Sequence, residues 1–320
     1  MTDKEVVFVR EFNHQLVQLL SRIYEYKGKQ IIYLQYNEKA LEKLKFAGLF
    51  HNVKYACALS GIQVADTKLL QLLQFRKSFD TEIEAQISGF RDAMLFINDD
   101  YEFIDINFNS ICALFLEMTL GDTKTLDAMT DEEKEQLNQL CVDYNDAMNN
   151  RENVDLIEIF HFIYTFIQLK LFQEKTLLFS RLLLNLLLFK SDILATQYQS
   201  MDKLVFQSMS HGKSKLRKKQ IDAFPYKDKQ AYLLYYFDML IESYEALDAQ
   251  FKLILNVKIT PTYRVLNILN RSFEPISRSD LEIMLADISR KTIERALVQL
   301  QREGFIAKVG QGKSTKYRVT

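Results

Sequence analysis

The side chains best spaced for chemistry in this sequence are cations near its C-terminal end. In DISRKTIERALVQLQREG, the residues Arg290, Lys291, Thr292 and Arg295 take the outer side of a helix whose inner side is Ile293, Leu297 and Leu300. Lys313, Lys316 and Arg318 follow in FIAKVGQGKSTKYRV, which reads as two strands joined by a Gly-Gln-Gly-Lys turn. A cationic helix start beside a basic hairpin can hold phosphates and reach base edges. Other chemistry lacks its residues. Cys57, Cys112 and Cys141 stand singly, and His14, His51, His161 and His211 are scattered, so neither a disulfide framework nor a metal site is expected. No nucleophile stands at a recognisable spacing from a base.

Charge is divided along the chain. The net charge is −1, but residues 258–320 hold 12 basic and 6 acidic side chains, giving +6. The remainder holds 29 basic and 36 acidic residues, giving −7. A basic tail on an acidic body is the pattern of a module that meets nucleic acid. The other reading is a set of solvated cations on a hairpin that docks protein.

The elements that must position these cations are helices. The chain of 320 residues has 48% hydrophobic residues but only nine Gly and three Pro, too few turn formers for a sandwich, barrel or doubly wound sheet. The expected fold class is mainly α. In residues 258–320, Pro261 opens TYRVLNILNRS with Val265, Ile268 and Leu269 apolar, and Ser277 with Asp280 makes an approximate capping box for the next helix. Ser289 caps the third helix and Gly304 stops it. Helix, helix, helix and hairpin predict a winged helix-turn-helix with a small β-hairpin wing.

Upstream, REFNHQLVQLLSRIYEY predicts an amphipathic helix, and ALEKLKFAGLFHNVKYACAL a helical pair or one long bent helix. SFDTEIEAQISGFRDAMLFIN has its cap at Asp80 or Thr81, ICALFLEMTL ends at Gly121, and GDTKTLDAMTDEEKEQL is a polar connection. VDLIEIFHFIYTFIQLKLF and TLLFSRLLLNLLLFKSDIL are dense enough in apolar residues to be central helices, with His161 as a packing residue. The run Leu177–Phe189 is 13 residues long and contains Arg181 and Asn185, short of the ~20 needed to span a bilayer. HGKSKLRKKQ reads as a basic loop and KQAYLLYYFDMLIESYEALDAQF as a last long helix. The N-terminus lacks an apolar signal core, so a reducing cytoplasm is the expected location and no membrane partner is expected.

At the two central helices the sequence resembles the Fic family, whose members transfer a nucleotidyl group from ATP to target hydroxyls. Its signature, HPFxxGNGRxxR, corresponds to KLFQEKTLLFSR, Lys170 to Arg181. Phe172, Glu174 and Arg181 match. Lys170 replaces the general-base His, Thr176 the Asn, Leu178 the first Arg, and Lys175 and Leu177 the glycines. CALSGIQV resembles the SSxIEGI inhibitory helix, with Ser60 in place of its Glu, and ISGFRDAMLFI resembles the family's GYRDAL segment.

The resemblance implies a Fic-like all-helical core and the division 1–75, an N-terminal region with the degenerate inhibitory segment, 76–257, the Fic-like core, and 258–320, the winged helix. It does not imply activity. Lys170 is a poor base unless strongly desolvated. No glycine lies between Gly121 and Gly212 to shape the phosphate cradle, and Leu178 removes a phosphate ligand. The polar run after Gly121 shows no strand where the family's target-positioning hairpin belongs. With Ser60 in place of the inhibitory Glu, Arg181 needs another partner, for which Glu174 is the candidate.

The expectation is a catalytically inactive protein with no cofactor and no ATP binding, acting on DNA as a homodimer. The alternatives are a divergent nucleotidyltransferase that still binds nucleotide and modifies a protein, a vestigial anion or nucleotide site at Lys170, Lys175 and Arg181 that senses rather than reacts, and a protein-interaction scaffold.

Overall fold

A helix that is apolar on every side must be enclosed by other helices, and TLLFSRLLLNLLLFK obeys that rule. The computed structural model describes residues 14–34, 38–74, 80–150, 153–211, 229–256, 260–270, 272, 275–285, 287–310, 312 and 315–319. Two compact units divide the chain, Met1–Ala249 and Gln250–Thr320.

The first unit is helical throughout its described residues. In order come α1 (His14–Leu34), α2 (Glu38–Leu59), α3 (Asp66–Gln74), α4 (Glu82–Asp100), α5 (Phe108–Met118) and α6 (Lys124–Asp127). They continue with α7 (Asp131–Asn149), α8 (Asp155–Leu169), α9 (Thr176–Lys190), α10 (Ala195–Tyr198), α11 (Met201–His211) and α12 (Lys229–Asn256), whose residues from Gln250 onward belong to the second unit. Helix α9 is the axis: every residue from Leu178 to Phe189 is buried, with α8, α4 and α2 packed around it. The expected central pair is therefore α8 and α9, and among the described residues no helix is long and apolar enough to cross a membrane. His161 is half-buried on α8.

Local signals place the helix ends. The Thr81 hydroxyl accepts from the Glu84 N–H at the start of α4, and Thr130 and Glu133 close a full capping box on α7. Residues 40–59, expected as a helical pair or one long bent helix, lie within the single helix α2. Its Gly48 lies directly against the backbone of Gln197 in α10. Gly89 in α4 makes the same close approach to the carbonyl of Met118 at the end of α5. The polar run after Gly121 contains α6 and then α7, with no strand among the described residues of this unit. Of the basic stretch HGKSKLRKKQ, residues 212–220 lie outside the described residues.

The second unit has α13 (Pro261–Asn270), β1 (Ile276–Ser277), α14 (Arg278–Met284), α15 (Arg290–Arg302), β2 (Ile306–Val309) and β3 (Lys316–Val319). The antiparallel sheet has the order β1-β3-β2, with Ile276 opposite Tyr317 and Ile306 opposite Val319. Val265, Leu269, Leu281, Ile293, Leu297 and Leu300 form its core. The expected three helices and hairpin are all present, with Ser277 and Asp280 in a capping box, Ser289 as cap and Gly304 at φ 80° as stop. The two-residue β1 is an addition that the sequence pattern did not signal.

Candidate functional site

The turn between α8 and α9 carries the signature-like residues, and its backbone is closed on itself. Lys170 ends α8 in the left-handed region, φ 52° and ψ 27°, and is exposed to solvent. A non-glycine residue in that region is held against roughly 1–2 kcal/mol of strain. Phe172 supplies the anchor. It is fully buried, its ring 4.7 Å from Phe115 and 4.9 Å from Phe179, so the turn is tied to α5 and α9 by aromatic packing.

Several N–H groups of this turn are already used. Gln173 N–H donates to the Lys170 carbonyl at 3.0 Å and Lys175 N–H to the Phe172 carbonyl at 3.0 Å. Thr176 N–H donates to the Gln173 carbonyl. Glu174 turns its carboxylate onto its own N–H, and that contact, with Lys175 beside it, holds its pKa below the usual carboxylate range. A phosphate cradle needs several N–H groups converging on empty space. Here the N–H groups of Gln173, Glu174, Lys175 and Thr176 are taken by carbonyls and one carboxylate, and each of these four would first have to be freed for a ligand.

Beside this turn opens a cleft of about 300 Å³. Ser60, Glu174, Lys175 and Leu178 line it together, so the structure does bring the inhibitory-segment position and part of the signature segment to one place. Gly61, at φ 83°, turns the chain out of α2 there, with Ile62 N–H donating back to the Cys57 carbonyl at 2.8 Å. Lys170, Phe172 and Thr176 are not in the lining; Thr176 is buried at the head of α9. Glu82 and Asp122 also line the cleft. Sequence reasoning missed both, because each is an ordinary helix-start or turn acid by its local signals.

Arg181 faces away from the cleft. Its Nη1 donates to Asp202 Oδ1 at 3.1 Å and to the Tyr236 hydroxyl at 2.9 Å, and both charged residues are buried. The partner expected for it, Glu174, instead stands 3.4 Å from the Lys175 ammonium and is exposed. The reason is burial. An arginine inside α9 cannot reach an exposed turn without leaving the core, whereas Asp202 at the start of α11 is already inside. Burial pushes the Asp202 carboxyl up, against the pull of Arg181. Burial would by itself lower the Arg181 pKa, but Tyr236 and Asp202 reverse it, and the guanidinium stays charged. No sequence signal marked Asp202 or Tyr236.

In the second unit Asp287, Glu282 and Glu294 are held by arginines, whereas Asp280 accepts from Ser277 and Glu303 from Gln299. Arg264 forms a two-point pair with Asp287 at 2.5 and 2.9 Å, and Arg278 reaches Glu294 at 2.7 Å. Arg290 is exposed but lies 3.5 and 3.4 Å from Glu282 and Glu294. Thr292 is half-buried, its hydroxyl 2.8 Å from that of Ser289 in the cap. Lys291 and Arg295 on α15, and Lys316 and Arg318 on β3, are exposed, and none of the four forms an ion pair among the described residues. Lys313 lies outside the described residues.

No family model matches the sequence, and no curated protein matches it significantly. Its shape does have counterparts. A Fic family protein from Desulfovibrio desulfuricans G20 superposes with a TM-score of 0.55 at 13% identity, over 97% of this chain and 97% of that one. A Fic domain containing signaling protein from Bacteroides thetaiotaomicron VPI-5482 gives a TM-score of 0.51 at 12% identity, over 72% of this chain and 95% of that one. The fold is that of Fic proteins.

Proposed function

We propose that this is a Fic-fold protein without nucleotidyl-transfer activity, which acts as a regulator by binding duplex DNA through residues 258–320. The observation that carries the DNA reading is the partition of charge in the second unit. Asp287, Glu282 and Glu294 are matched to Arg264, Arg278 and Arg290, while Lys291, Arg295, Lys316 and Arg318 are exposed on α15 and the hairpin and form no ion pair among the described residues. Cations that a fold leaves unpaired on one helix and one strand are available to phosphates, and release of DNA counterions then drives association. The start of α15 is the part that would meet base edges in the major groove. One such unit reads one half-site, so the working form is a homodimer.

The inactive half of the reading rests on the closed turn after α8. The N–H groups of Gln173, Lys175 and Thr176 are spent on carbonyls, and Lys170 is held in solvent at a helix end rather than in a dry pocket. ATP is accordingly no ligand, and no cofactor takes part.

The test is binding of the full chain to a labelled mixed-sequence duplex across a salt series, beside a variant carrying Lys291→Ala, Arg295→Ala, Lys316→Ala and Arg318→Ala. Four phosphate contacts contribute about 3.6 to the slope of log affinity against log salt. The variant should therefore bind roughly a hundredfold more weakly at low salt and lose that part of the slope. Equal binding by the two proteins, or none by either at low salt, sinks the DNA reading. The latter result would favour a protein-docking wing, for which the exposed Ile283 and Val298, at 76% and 66%, supply apolar surface.

A further inference from the structure

DNA binding makes no use of the cleft between the end of α2, the start of α4, the end of α5 and the turn before α9. We propose that this cleft is a binding site for a small apolar amine: a ring or short chain that carries one ammonium group. The proposal is independent of the DNA reading, since every residue it uses lies in the first unit.

The floor is apolar, made by Ile62, Ala85, Met118, Leu120 and Leu178. The volume of about 300 Å³ lies at the small end of ligand pockets. The replacement of a family arginine by Leu178 puts a buried aliphatic side chain, 5% exposed, where a phosphate ligand would stand. The rim is acidic. Glu82, Asp122 and Glu174 face it against the single cation Lys175, which already lies 3.4 Å from Glu174. The lining carries a charge of −2, and Glu82 forms no ion pair among the described residues.

An ammonium has donors and no acceptor, and it is attracted by the rim. A polyphosphate meets the opposite field, since each like-charge pair near 4 Å costs about 1 kcal/mol even in bulk water.

The sequence contains no Trp, so an indole probe can be excited outside the tyrosine band and its polarisation read directly. Tryptamine and indole-3-propionate share the ring and differ in the sign of the terminal charge. Titrated with the full chain, tryptamine should bind saturably and at least tenfold more tightly than indole-3-propionate, and ATP should not displace it. Changing Glu82→Gln and Glu174→Gln together, both solvent-exposed and outside the core, should weaken tryptamine at least fivefold while the thermal unfolding curve stays in place. The proposal fails if the two probes bind within twofold of each other, if neither binds at millimolar concentration, if ATP competes, or if the double variant binds tryptamine unchanged.

Discussion

Replacing Asp202 by alanine should be among the most damaging single changes in the first unit, and the structure sets its size. Asp202 is 3% exposed and Arg181 is 8% exposed, and the carboxylate is the anion that faces the guanidinium. Removing it leaves a buried cation held by the Tyr236 hydroxyl alone, and the Arg181 Nε is already without a partner. Breaking a buried pair in this way costs about 3–5 kcal/mol. For a unit of 249 residues each kcal/mol lowers Tm by about 2–4 °C, so the fall should be about 6–20 °C.

The converse change, Arg181→Met, should cost less, because the Asp202 carboxyl is already pushed up by burial and can take a proton. Replacing both, Arg181→Met with Asp202→Leu, should recover most of the loss, since apolar residues of similar volume commonly match a buried pair. The assay is thermal and urea unfolding followed by circular dichroism, with and without ATP. A loss below about 1 kcal/mol for Asp202→Ala, or no recovery in the double variant, would falsify the assignment of Arg181 to the core. A Tm raised by ATP in the wild type would do so from the other side, by showing that the guanidinium serves a nucleotide.

Three further outcomes are expected. With any nucleoside triphosphate the protein should transfer no label to itself or to lysate proteins; label that is lost on Lys170→Ala would overturn the inactive reading. His51 has its pKa lowered from 6.5 to about 4 by burial and then by Lys203 and Lys54, so its unfolded form takes up a proton first. Stability should fall as pH drops from 6.5 towards 4, and His51→Gln should flatten that part of the curve by about one proton, measured by urea midpoints at each pH. Gly89→Ala should destabilise by about 2 kcal/mol or more, because its new Cβ runs into the Met118 carbonyl, whereas Gly28→Ala, open on all sides within α1, should gain about 0.5–1 kcal/mol. The two unfolding curves moving in the same direction would contradict the packing described for α4 and α5.

The second unit was legible nearly residue by residue because its signals are local. A Ser-x-x-Asp box, a Ser cap, a positive-φ glycine and a 3.6-residue apolar period each act within one or two turns of the chain. The same holds for α8 and α9, whose apolar density alone required them to be central. Residues 40–59 were ambiguous for a related reason. Gly48 reads locally as a break, and only the backbone of α10 lying against it explains why the helix runs through.

The amino-acid sequence by itself determined a mainly helical chain, a basic three-helix-and-hairpin tail, and a signature-like segment stripped of its base, its Asn, its first Arg and its glycines. Tertiary structure alone decided what those remnants do. Arg181 found Asp202 and Tyr236, distant by 21 and 55 residues, because helix packing and not sequence spacing sets which buried charges meet. The turn N–H groups of Gln173, Lys175 and Thr176 were spent on neighbouring carbonyls, and Ser60 came to share a cleft with Glu174 and Leu178. Residue types limit the chemistry a chain can attempt, but which groups are buried together, paired or left open to a ligand depends on where helices far apart in sequence come into contact.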